Sequence, residues 1–179
     1  MNRRKAISGI VTLSIGAMVF PSCVQKEEAA LIKLKNISIT GSEEKMLIQL
    51  SDAILPLKKL KDYPGNKPWE FTLMMVDDCY EPENQQKFIA GLKAFEGMAK
   101  KKYGSSFTDC TPQQKSEWLT AIEKKNDIPE AVQYFYGTTK RYTIQAFTSS
   151  REYMTNVMQY KMVPGSNFKG CVQVVSIKN

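Results

Sequence analysis

Residues 82–104 read PENQQKFIAGLKAFEGMAKKKYG, and within them Phe88, Leu92, Phe95, Met98 and Ala99 recur at three- and four-residue spacing. That period places all five on one stripe of an α-helix. Pro82 suits the first turn, where its missing N–H costs nothing. Gly104 stands where a left-handed residue ends a helix. Lys100, Lys101 and Lys102 fall in the last turn, where cations complement the helix dipole. The lysine cluster therefore reads as a solvated helix end rather than a polyanion site.

Working outward, the same signals recur. Thr40-Gly41-Ser42-Glu43 fits a capping box, and Met46, Leu47, Leu50, Ile54 and Leu55 follow at helical spacing until Pro56. A basic, Pro- and Gly-containing loop, 57–67, precedes Pro68, which opens a helix carrying Trp69, Leu73, Val76 and Tyr80. Thr111-Pro112-Gln113-Gln114 predicts another start, with Trp118, Leu119 and Ile122 on its buried face. Pro129 opens a helix with Val132, Phe135, Tyr136, Tyr142 and Phe147, and a shorter helical segment is expected near Ser149. Past Tyr160 the helical period is lost. The fold class is all-α: a single compact domain of about five or six short helices, residues 40–179, with an extended C-terminal tail.

The chain has 179 residues, 42% hydrophobic and 24% charged, which suits one globular domain. It contains no histidine. That disfavours His-dependent triads, most zinc sites and His-ligated haem. Neither a G-x-G-x-x-G, a P-loop nor a C-x-x-C occurs. Asp77-Asp78 is a carboxylate pair, but successive helical residues diverge by about 100°, so the pair reads as a polar face. The aromatics read as core residues.

Met1 to Lys5 is basic, Ala6 to Phe20 is uncharged, and Pro21-Ser22-Cys23 follows. This is the layout of an export signal over residues 1–22. Cys23 is the candidate acceptor of a lipoprotein signal, with plain cleavage nearby as the alternative. Arg3 and Arg4 fit either a twin-arginine address or an ordinary basic n-region. Residues 23–39 read as a polar, flexible tether. Residues 1–22 hold three of the 25 basic side chains and none of the 18 acidic ones, so the remainder carries a net charge of +4. An excess that small gives no argument for nucleic acid. If Cys23 is acylated, Cys79, Cys110 and Cys171 remain. One disulfide would leave an odd thiol suited to an intersubunit bridge; buried free thiols are the other reading.

Three sets of landmarks carry a family resemblance. They are residues 74–92, MMVDDCYEPENQQKFIAGL; residues 143–150, TIQAFTSS; and the ending Pro164-Gly165 with Lys169-Gly170-Cys171-Val172. In that order they resemble the gluconate 2-dehydrogenase subunit 3 family from about Ile39 onward. The resemblance implies a non-catalytic small subunit that binds no cofactor itself. It would bind, stabilise and help export a flavoprotein large subunit of the glucose-methanol-choline type. FAD would sit on that partner, a cytochrome c subunit would be a further partner, and the complex would lie on the periplasmic face of the membrane, held by lipidated Cys23. The loop 57–65 is more basic than in relatives, so gluconate specificity is not carried over. The rival expectation is a stand-alone helical envelope lipoprotein binding a glycan, which needs solvent-exposed Trp69, Trp118 or tyrosines.

Overall fold

The structure, a computed structural model, describes residues 29–56, 67–124 and 127–160. Among them are five α-helices: α1 (Gly41–Ile54), α2 (Pro68–Cys79), α3 (Pro82–Tyr103), α4 (Pro112–Glu123) and α5 (Glu130–Thr148). A 3₁₀ turn, Phe107–Asp109, lies between α3 and α4, and a π-helical turn, Tyr153–Val157, follows α5. The described residues form no strand; Ala29 and Thr40 make an isolated antiparallel bridge. The all-α expectation holds. The export signal, the loop 57–66 and the tail beyond Tyr160 lie outside the described residues.

The helix ends follow from the residues at them. The Thr40 hydroxyl accepts from the Glu43 N–H at 3.3 Å, while the Glu43 carboxylate accepts from the Thr40 N–H at 2.8 Å. Thr111 and Gln114 make the same reciprocal pair at 3.2 and 2.8 Å. Each box satisfies two N–H groups that a helix start leaves without partners. Gly104 ends α3 at φ 72°, a conformation that a Cβ disfavours. Near Ser149 the helical turn is π rather than α, over Tyr153–Val157, and the Ser150 hydroxyl accepts from the Tyr153 N–H at 3.2 Å.

The stripe on α3 forms the centre of the core. Phe88, Leu92, Phe95 and Ala99 are fully buried, with Met98 half-buried beside them. Phe95 contacts Phe107, Phe135 and Trp118 at ring separations of 5.0, 5.5 and 5.8 Å, and Phe88 meets Phe135 at 5.1 Å. These tilted and edge geometries are the favoured ones for aromatic pairs. The α3–α5 crossing is the most extensive helix contact and is set by Gly91. A Cβ there would stand 2.2 Å from the Ala131 carbonyl oxygen and 2.6 Å from the Phe135 Cβ. Only a residue without a side chain lets the backbones approach so closely.

Candidate functional site

The landmark stretch 74–92 spans the junction of α2 and α3, and Asp77 is the buried acidic residue in it. The 100° step predicted for Asp77-Asp78 is present, with an outcome the polar-face reading missed. Asp78 is exposed, whereas Asp77 is only 4% exposed. One Asp77 carboxylate oxygen accepts from the Lys35 N–H at 2.7 Å; the other accepts from the N–H groups of Asn36 and Ile37 at 2.7 and 2.9 Å. Burial pushes this carboxyl up, but the three N–H donors, helped by the Lys35 charge, outweigh it and hold Asp77 below the ordinary carboxylate range. The Asp77 carbonyl is also occupied, accepting from the Asn36 amide at 2.7 Å and the Gln85 amide at 2.9 Å. Gln85 reaches the Val76 carbonyl too, at 3.2 Å. The end of α2 thus has partners for carbonyls that a helix C-terminus leaves open.

These contacts correct the tether expectation over residues 29–39. Glu44, buried on α1, accepts from the N–H groups of Leu31 and Ile32 at 2.7 and 3.3 Å. Ile37 and Ile39 are buried, and Ile32 and Leu34 pack against the core. The segment is part of the folded unit because two carboxylates and four apolar side chains hold it there. Residues 23–28 lie outside the described residues.

The outward side of α2 carries an apolar patch between charged residues, with partly exposed Glu70 and Asp78 one turn to either side of Met74. Met74 is 49% exposed, with half-buried Phe71 and Met75 at helical spacing around it and exposed Cys79 one turn on. Beside it, the Tyr142 ring of α5 lies 6.0 Å from Phe71 and 6.1 Å from Tyr80. The Arg141 guanidinium stands 4.6 Å from the Tyr142 ring centre and donates to the Tyr80 hydroxyl. Burial, then the Tyr80 hydroxyl, push the Tyr142 phenol up, with Arg141 opposing. It stays protonated at neutral pH. Ile144, 44% exposed, extends the apolar character along α5.

A cleft of about 670 Å³ between α1, α4 and α5 holds the other charged cluster. There Glu123 accepts from the Tyr136 hydroxyl at 2.8 Å and from the Lys140 ammonium. Lys140, then Tyr136, hold the Glu123 carboxyl below its usual range; burial, then Glu123, push the Tyr136 phenol up. A carboxylate made less basic and a phenol made less acidic are poorly matched to acid–base catalysis near neutral pH. This cluster ties α4 to α5.

Arg3, Arg4, Cys23 and Cys171 lie outside the described residues. Cys79 is exposed at the end of α2, and Cys110 is buried after the 3₁₀ turn, its thiol 3.4 Å from the Ser106 carbonyl; the two are not bonded to each other. Among the described residues no group of three or more Cys, Asp or Glu side chains is placed to hold a metal ion. Trp118 is buried and Trp69 half-buried, whereas among the tyrosines Tyr160 is 55% exposed. Asp77 and Gly91 are the residues that sequence reasoning missed. The available signal for Asp77 was its place: an acidic side chain in the last turn of a helix opposes the dipole, and such a position calls for a compensating contact.

A family model described as gluconate 2-dehydrogenase subunit 3 matches residues 41–165, more than half of the chain. No curated protein and no solved structure matched. The matched region begins at α1 and leaves out the segment that Asp77 and Glu44 hold in place.

Proposed function

From the premise that the chain belongs to the gluconate 2-dehydrogenase subunit 3 family, a family of dehydrogenase-complex subunits, we propose that it is the non-catalytic small subunit of an FAD-dependent sugar or sugar-acid dehydrogenase. It docks on a flavoprotein of the glucose-methanol-choline type, stabilises it and accompanies it through export. Lipidated Cys23 tethers the pair to the outer side of the inner membrane. The flavin belongs to the partner, and a cytochrome c subunit receives its electrons.

The observation that carries this reading is the outward side of α2. Between the charged Glu70 and Asp78, Met74 is half exposed with half-buried Phe71 and Met75 beside it, a small apolar patch with no covering group among the described residues. Apolar anchors with an adjacent Arg and Tyr are the composition of a protein-docking surface. The test is co-purification from the native host in mild detergent, with flavin quantified. Wild-type protein should recover a flavoprotein; Met74→Glu should lose it at least about tenfold, since a buried hot-spot anchor is worth about 2 kcal/mol or more and tenfold is about 1.4 kcal/mol. Wild-type protein that recovers no flavin overturns the reading. Separately, Lys-Lys in place of Arg3-Arg4 should block export if the twin-arginine address is used, and Cys23→Ala should release the protein from membranes.

A further inference from the structure

We infer that residues 29–39 are a seated strap, fixed to the helical domain, so that at most residues 24–28 can act as a leash between Cys23 and the folded unit. The membrane consequence rests on the lipid anchor proposed above; the strap itself does not. Its path is fixed at both ends and along its length. The Ala29–Thr40 bridge closes the neck. Glu44 receives the N–H groups of Leu31 and Ile32, and Asp77 those of Lys35, Asn36 and Ile37, while the Asn36 side chain bonds the Asp77 carbonyl. Between these contacts the side chains alternate. Ile32 and Leu34 turn toward the core, and Leu31, Lys33 and Lys35 remain exposed. Compact surface loops with adjacent ends that are packed by their own side chains behave as structural units rather than linkers.

Distances follow from chain geometry. From Cys23 to Ala29 a fully extended chain spans about 20 Å, whereas a free tether reaching Thr40 would span about 60 Å. The strap therefore shortens the leash about threefold and fixes the side of the domain from which it leaves, beside Thr40 at the start of α1. A flavoprotein docked on this subunit is held near the bilayer surface instead of ranging over tens of ångströms.

Amide hydrogen exchange on the membrane-attached full chain tests this. The Lys35, Asn36 and Ile37 amides should exchange at least about tenfold more slowly than unstructured chain, as amides in seated structure do. In Asp77→Ala they should approach the unstructured rate while the α3 amides near Phe95 stay protected, which also reports that the domain has folded. Trypsin should then cut after Lys33 and Lys35 in the variant and spare both in wild type. Strap amides that exchange freely in the wild-type protein overturn the inference without reference to any variant. Membrane release by Cys23→Ala reads the anchor alone. Protected strap amides with no lipid on Cys23 would sink the anchor and leave the strap, and the converse result would do the opposite.

Discussion

The aromatic centre of the domain and the strap at its edge are held by different physics. Around Phe95, rings from α3, α5, α4 and the 3₁₀ turn meet by apolar contact, and the buried Trp118 indole N–H has no hydrogen-bond partner among the described residues. Their contribution scales with apolar area removed from water, of the order of 2 kcal/mol for each large side chain. At the strap, the packing of Ile32, Leu34, Ile37 and Ile39 is joined by directed hydrogen bonds: five backbone N–H groups end on two carboxylates. A core held by area tolerates small rearrangements. A segment held by directed bonds to charged acceptors is either seated or released. The centre should therefore fail as part of a cooperative unfolding of the domain, and the strap should be able to come away while the domain stays folded.

The largest effect expected is at the α3–α5 crossing. Gly91→Ala places a methyl against the Ala131 carbonyl, a backbone atom that cannot swing aside, and should cost about 3 kcal/mol. Urea unfolding should show a lower midpoint with an unchanged slope, because the whole domain still unfolds at once. Asp77→Ala should cost less, about 2 kcal/mol, since the strap can leave and let water satisfy its N–H groups. Its signature is a smaller urea slope, reflecting a native state that already exposes residues 29–39. Equal slopes in the two variants would erase the distinction between centre and strap.

Acid sharpens the same comparison. Because the folded-state carboxyl of Asp77 lies below its unfolded value, near 3.9, its stabilisation is complete above that value and is lost as pH falls through the folded pKa. The stability gap between wild type and Asp77→Asn should be level from pH 5 to 7 and should close below about pH 4. Thermal melts across that range measure it. The smallest effect is expected for Lys35→Ala. The Lys35 ammonium meets Asp78 at 3.4 Å with both side chains largely in water, and such pairs are worth under about 1 kcal/mol. Its backbone N–H, which does the seating, is retained.

The two regions also differ in how far they could be read from sequence. The α3 stripe, the Thr40 and Thr111 caps and the Gly104 stop are local patterns whose cause lies within a few residues, and all of them stand in the structure. The strap is not local. Its acceptor lies some 40 residues from its donors, and nothing in residues 29–39 shows that their amides will meet Asp77. Seven of the eleven residues from Ala29 to Ile39 are apolar, a signal that a linker reading passes over, and Asp77-Asp78 is ordinary enough to read as a surface pair. Gly91 was hidden for a similar reason: a glycine inside a helix shows its purpose only when the opposing backbone, Ala131, is in view. Family membership and helical class were legible from the ordered landmarks. The exposed apolar patch at Met74 was not, because one period serves buried and exposed apolar residues alike.

The spacing within the strap also has a consequence in the order of synthesis. Leu31 and Ile32 lie 13 and 12 residues before Glu44, but Lys35 precedes Asp77 by 42. During translation the first clasp becomes available as α1 is made. The second must wait for almost all of α2. Until then the Lys35–Ile37 stretch has no acceptor, and any factor that handles the N-terminus of the nascent chain meets it half fastened. Completion of α2 ends that interval, so the seated strap marks a chain that has been made at least through residue 77.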